Sequence, residues 1–352
     1  MTDTLRGPFI VIGENIHATR VLLRSGARVV SLADGGAALP FTDDGGADQL
    51  LPVPGAAVEG SGEKQKVKHV KAAVLAGLAG GPDADLGRGY VRYLARRQVD
   101  AGADYLDLNV DEASNDLAMR VAAMEWLVAA VEDATDAAIS LDSSAPDVMR
   151  AGLAAAARRA GAPLLNSASL ERLDVLDLAA AEGCPVILGA GGQHGMPASA
   201  GERVDNATRI VDEATRRGIA LSRLYLDALV MPVAVEPEVG SWFLDAVHTL
   251  RERYGPQIHL TGGLSNVSFG LPARRLLNDV FIKLAADAGA DSGIIDPVAS
   301  DPRRIFAQDR TSRAYALAAD LLTGRDPFGM EFLAAYRAGE LGAEAAISHG
   351  SR

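Results

Sequence analysis

Eight times along the chain a short apolar run ends in polar or acidic residues: 9–15, 105–111, 138–144, 163–169, 185–191, 224–229, 258–266 and 291–298. Runs of this length bounded by turn-forming residues read as strands buried on both faces. Helical spacing of apolar residues fills segments between them, at 116–133, 146–159, 203–217, 239–253 and 274–288. Strand and helix alternating eight times predict an α/β fold of the (β/α)8 TIM-barrel type. A doubly wound sheet that binds a dinucleotide is the competing architecture. It requires a glycine-rich turn after the first strand, and Gly13-Glu14-Asn15-Ile16-His17 offers a single glycine.

The rhythm breaks once. Residues 19–81 far exceed a normal βα loop of roughly 2–6 residues. Short runs at 28–32, 38–42 and 49–53 are separated by Asp34-Gly35-Gly36 and Asp43-Asp44-Gly45-Gly46, which are turn signals. The reading is a barrel over residues 1–330 with an insertion at 19–81, followed by a C-terminal tail at 331–352. Within the insertion we expect a β-meander, a link at 55–62 and a basic helix over 63–78. Lys64, Lys66, Lys68 and Lys71 open that helix, and Lys283 is the one other lysine. They read as a solvated face or as a docking patch for an acidic partner.

Composition sets limits. A chain of 352 residues with 48% hydrophobic content can bury a large core as one barrel. A net charge of -12 argues against nucleic acid as partner. No stretch is apolar for about 18 residues and residues 1–7 lack a signal-peptide pattern, so a cytoplasmic protein with no membrane partner is expected. The single cysteine, Cys184, excludes an internal disulfide framework and reads as a buried thiol.

In a barrel of this type the C-terminal ends of the strands face the active site. Collected there are Glu14, Asn15, Asp107, Asn109, Asp111, Asp142, Ser143, Asn166, Ser167, Asp227, Ser265, Asn266 and Asp296. Carboxylates and carboxamides dominate. His17 and His194 also lie near these ends, but neither has a Ser or Cys nearby in sequence, so nucleophilic catalysis has no support. Asp and Asn together match the amide and amidine edges of a pterin or purine. Singly, each also suits the cap of a following helix. Gly263-Leu264-Ser265-Asn266-Val267-Ser268-Phe269-Gly270-Leu271-Pro272 is a polar segment between a strand and a helix, the mouth of a binding site. The histidines are scattered, with no His-x-x-x-His or Cys-x-x-Cys spacing, and no metal site follows.

These residues carry a family resemblance. Gly102-Ala103-Asp104-Tyr105-Leu106-Asp107-Leu108-Asn109, Leu141-Asp142-Ser143, Leu165-Asn166-Ser167, Leu226-Asp227 and the Leu-Ser-Asn-Val-Ser loop, with Arg274 and Asn278, closely resemble the pterin-binding methyltransferases. These are the methyltetrahydrofolate:corrinoid methyltransferases, including the folate domain of cobalamin-dependent methionine synthase. The resemblance spans residues 9–16 and 87–322. It implies a methyltransferase that moves a methyl group between N5 of 5-methyltetrahydrofolate and the cobalt of a separate corrinoid protein. It implies Asp142, Asn166 and Asp227 as pterin contacts and Asn266 as the residue at N5. Asp107, Asn109, Ser268 and Arg274 are further substrate-binding positions, and a homodimer is expected. Strand one departs from the pattern, because Gly13-Glu14-Asn15-Ile16-His17 stands where the family tends to have a Gly-Glu-Arg opening followed by an asparagine.

The corrinoid has to come from a partner. The nearest approach to a cobalamin-binding Asp-x-His-x-x-Gly is Gln257-Ile258-His259-Leu260-Thr261-Gly262, which lacks the aspartate that would orient the histidine. Three other readings stay open on the residues alone: an O-demethylase component with an aryl methyl ether as donor, a dihydropteroate synthase-like enzyme, and a pterin-binding scaffold without catalysis.

Overall fold

A computed structural model describes residues 9–193 and 195–342. Residues 1–8, position 194 and residues 343–352, on which some expectations fall, lie outside the described residues. The chain divides into two compact units, one holding 13–164 and the other holding 9–12 with 165–342 among the described residues.

The barrel sheet opens with β1 (Ile10–His17), whose last five residues belong to the first unit. The insertion follows as β2 (Val21–Leu23), β3 (Val30–Ser31), β4 (Ala37–Thr42), β5 (Asp48–Pro52), β6 (Val58–Glu59) and β7 (Lys66–Lys68), before α1 (His69–Ala79) and α2 (Pro82–Asp100). Then come β8 (Tyr105–Asn109), α3 (Leu117–Glu132), β9 (Ala138–Asp142) and α4 (Pro146–Ala155). The second unit holds nearly all of β10 (Leu164–Ala168), then α5 (Asp174–Glu182), β11 (Val186–Gly189), α6 (Ala200–Arg216), β12 (Leu224–Asp227), α7 (Val239–Tyr254), β13 (His259–Thr261), α8 (Arg274–Ala288) and β14 (Ser292–Ile295). It ends with α9 (Pro302–Phe306), α10 (Arg313–Leu322) and α11 (Met330–Arg337).

Eight strands form one sheet in the order β13-β12-β11-β10-β9-β8-β1-β14. β14 meets β13 through the Ile294 N–H to the Gly262 carbonyl at 2.9 Å, so the sheet is nearly closed and the TIM-barrel expectation holds. All eight expected strands are present. The reason is legible in β8, where Leu106 and Leu108 point to one face while Asp107 and Asn109 point to the other. Each strand is too short and too enclosed to leave its backbone unpaired, and parallel pairing satisfies it.

Two expectations about the flanking segments need correction. The expected meander is present as the antiparallel sheet β3-β4-β5, and the insertion adds a second three-stranded sheet, β2-β7-β6. Its helix begins at His69, not residue 63, because β7 pairs antiparallel with β2 and takes up Lys66 and Lys68. Of the four lysines only Lys71 lies in that helix, and Lys64 ends a separate 3-10 turn over Gly62–Lys64. Lys68 is 9% exposed and paired with Glu59 and with Glu112 (2.6 Å), so it is committed within its own unit. The segment expected as a tail from 331 starts inside α11, which buries Phe332 and Ala335. No described helix is long and apolar enough to cross a membrane.

Close helix packing supports the outer layer of the second unit. A Cβ added at Gly240, in the first turn of α7, would overlap the carbonyl oxygen of Leu322 at the end of α10. Backbone cannot yield as a side chain can, so Gly240→Ala is expected to destabilise by about 1–3 kcal/mol, as overpacking does. A lower urea midpoint with an unchanged m-value is the expected measurement; an unchanged midpoint would contradict the packing described.

Candidate functional site

In the first unit the strand ends build a buried polar cluster. Residues two apart on a strand share a face, which puts Asp107 and Asn109 together. The parallel register sets Asn109 opposite Asp142. Asn109 Nδ2 donates to Asp142 Oδ2 at 3.0 Å, and its Oδ1 accepts from the Asp111 N–H at 3.0 Å. His17, at the end of β1, donates from Nε2 to Asp107 Oδ2 at 2.8 Å, and Asp107 is 0% exposed. Asp111 accepts from Ser143 Oγ at 2.6 Å and from the Ser144 N–H at 2.7 Å, fixing the turn after β9. At the start of the same region Gln98 accepts from the Asn15 N–H at 3.0 Å, close against Gly13.

Electrostatics follow from this enclosure. Burial pushes the Asp142 carboxyl up to about 7, the charge on Asp107 adds to it, and His17 with the Asn109 hydrogen bond works the other way. For His17 burial disfavours the imidazolium, but the Asp107 hydrogen bond and the charges of Asp107 and Asp142 outweigh it and hold the pKa above its ordinary value. His17, Asp107 and Asp142 each offer a ligand atom within 4.8 Å of the others. Within this group His17 and Asp107 share a hydrogen bond, and the charges of both act on Asp142.

In the second unit Asn166 lies within β10, Asp227 ends β12, and the turn carrying Asn266 follows β13. Asn166 precedes a cis peptide to Ser167, whose carbonyl and hydroxyl oxygens accept from Arg172 at 2.8 and 3.1 Å. Asp227 Oδ1 accepts from the Leu229 N–H at 2.7 Å, with Leu229 in the left-handed region at φ 66°. Burial pushes Asp227 up to about 6, opposed by the Leu229 N–H and the charge on Arg203. The segment 264–268 is a 3-10 turn. Ser268 is 0% exposed; its hydroxyl donates to Asn278 Oδ1 at 2.6 Å and accepts from Arg274 Nε at 3.0 Å. Arg274 also donates to the Ser265 carbonyl at 3.0 Å and stacks 4.3 Å from the Phe269 ring. Among the described residues the Asn266 carboxamide has no hydrogen-bond partner, and it is part-exposed. So Ser268 and Arg274 hold the turn, and Asn266 is what the turn presents.

The sequence reading therefore brings together Asp107, Asn109 and Asp142 in one unit, and in the other it finds Ser268 and Arg274 serving Asn266. What it missed are supporting groups: Gln98, Arg203, and the pairing of His17 with Asp107. His17 carried a signal, since it ends the first strand. Gln98 and Arg203 lie on helices and carried none.

Comparison with known proteins fits this geometry. A family model described as pterin binding enzyme matches residues 91–296. The chain belongs to that family. It is 30% identical over 259 residues to the methylcorrinoid:tetrahydrofolate methyltransferase of Eubacterium limosum, covering 72% of this chain and 89% of that protein. It is 31% identical over 217 residues to the methionine synthase of Mycobacterium leprae, covering 57% of this chain but 17% of that longer protein. A dihydropteroate synthase structure from Xanthomonas albilineans superposes with a TM-score of 0.50 at 22% identity, covering 65% of this chain and 86% of that one. At that identity the likeness shows the barrel alone, so it does not support dihydropteroate synthesis as the activity.

The cluster of the first unit makes stability depend on pH. Both pKa values are raised on folding, so each contribution is fully present below the unfolded value and is lost as pH rises through the folded one. For Asp142 that window runs from 3.8 to about 7; for His17 it begins at 6.5. Unfolding by urea is expected to become easier across this range. Asp142→Asn should flatten the profile between those two Asp142 values, and a variant profile parallel to wild type would overturn the assignment.

Proposed function

We propose that this protein moves a methyl group between N5 of 5-methyltetrahydrofolate and the cobalt of a corrinoid held by a separate protein. The observation that carries the reading is the unpartnered carboxamide of Asn266 on a turn locked by Ser268, Asn278 and Arg274. Such a group is preorganised to donate to a nitrogen at which charge changes.

A methyl on a tertiary amine transfers poorly, because the electron pair of the breaking N–C bond must settle on N5. A hydrogen bond that strengthens as that pair forms, or a proton delivered there, removes the difficulty. Asn266 Nδ2 supplies the hydrogen bond; the proton comes from solvent and ends on N5. Asp142, Asn166 and Asp227 take the amide and amino groups of the ring, the roles that their motif positions imply. Asn109 holds Asp142 in place through the hydrogen bond above, and Asp107 holds His17. The ring-binding set is chemically suited to a pterin, whose amidine edge offers paired donors to a carboxylate. The partner's corrinoid supplies the cobalt that accepts or gives the methyl group.

The same reading makes the protein a cytoplasmic homodimer that meets its corrinoid protein from solution. Lys64 and Lys66 are exposed beside the committed Lys68. They are available to steer an acidic partner, an effect that weakens with salt.

Two measurements test this. Mixed with methyltetrahydrofolate and a reduced corrinoid protein, the enzyme is expected to change the cobalt absorption spectrum; Asn266→Ala should slow a single turnover on the order of 10²-fold while folate affinity changes little. An equal loss in affinity with an unchanged transfer rate would make Asn266 a binding residue only. Replacing Lys64 and Lys66 with Gln should slow transfer to the corrinoid protein at low salt but leave transfer to free cobalamin unchanged. Equal effects on both acceptors would remove the docking role.

A further inference from the structure

Arg203, in the first turn of α6, is 0% exposed and stands among the largest fully buried side chains. A buried guanidinium is costly unless its charge and its donors are met. Here they are met by carbonyls: Nε donates to Ala228 at 3.1 Å, and one terminal nitrogen donates to Pro197 at 3.1 Å and to Ser199 at 3.0 Å. Its face lies 5.4 Å from the Trp242 ring. No carboxylate forms an ion pair with it among the described residues, and the other terminal nitrogen, Nη2, is buried without a hydrogen bond. The charges that act on it are those of Glu202 and Asp227.

The contacts are not distributed at random. Pro197 and Ser199 belong to the loop that follows β11, and Ala228 follows β12 directly after Asp227. The Ala228 peptide is held from one side by Arg203, while the Leu229 N–H beyond it donates to the Asp227 carboxylate. Leu229 adopts a left-handed backbone at φ 66°, a conformation that is costly for a non-glycine residue and persists only when its surroundings hold it. The two strands flanking β12 oppose Asp227 with Gly189 and Thr261, neither of which carries charge. Arg203, tied to the Ala228 carbonyl next in sequence to Asp227, is the cation whose charge acts on it.

We propose that Arg203 is a positioning residue for Asp227: it ties the loops after β11 and β12 together and keeps the Asp227 carboxyl ionised as a hydrogen-bond acceptor for substrate. The substrate clause rests on the functional reading above; the effect on the carboxyl does not. A neutral side chain of similar length would fill the same space and leave the carboxyl without its cation. Burial already favours the protonated acid, which would offer the ring a donor where an acceptor is needed.

The test reads the carboxyl directly. Protein labelled with ¹³C at aspartate side chains is titrated by NMR, with Asp227→Asn to assign the signal. The wild-type resonance is expected to titrate near 6. In Arg203→Met the midpoint should move up, on the order of one unit, and the acid limb of tetrahydrofolate binding should move with it. A folded Met variant whose Asp227 midpoint does not move would overturn the proposal and leave Arg203 a packing role. Should that variant fail to fold, Arg203→Lys decides, because it keeps the charge and loses the planar fork. Its midpoint should stay close to wild type; a rise as large as that expected for the neutral variant would count against the proposal. Wild-type protein that binds no tetrahydrofolate would sink the functional reading while the titration still settles Arg203.

Discussion

Carboxylates at the ends of parallel strands sit where the sheet stops supplying backbone partners and water solvates them poorly. In the first unit that tension is met by stacking polar groups: Asp107 against His17, Asn109 against Asp142, Asp111 against Ser143. The cost is not abolished, and the Asp142 carboxyl stays near neutrality in its proton affinity. A ligand that brings donors to such a group repays burial that folding left unpaid.

The second unit meets the same constraint differently. Asp227 has a backbone N–H and the charge of Arg203, and the turn after β13 is braced by the buried Ser268 with the half-buried Asn278 and Arg274. Locking a 3-10 turn with hydrogen-bonded side chains removes its freedom before any ligand arrives, which is where positional precision in catalysis comes from. The free amide of Asn266 is the product of that bracing.

The insertion between β1 and α2 illustrates how charge in sequence differs from charge in space. Four lysines close together read as a basic helix, yet two of them fall on β7, and one of those is neutralised by Glu59 and Glu112. Alternation in 66–68 puts Val67 inward and completely buried, which pairing with Leu22 of β2 requires. Strand pairing, a nonlocal interaction, overrode the local preference for helix in this short segment.

The sequence by itself determined the eight-stranded barrel, its alternation of helices and the strand-end residues Asp107, Asn109, Asp142, Asn166, Asp227 and Asn266. It did so because apolar periodicity and polar strand ends are local, repeated eight times, and each repeat supports the others. The motif positions carried the family as well. Only the tertiary structure decided which of those residues face outward and which serve a neighbour. Ser268 and Arg274 proved to be braces, and Asp107 proved to hold a histidine 90 positions away. It also revealed Arg203, whose sequence context is an ordinary amphipathic helix. Pairings of this kind depend on which strands and helices the fold sets side by side, and that register is written in no single segment of the chain.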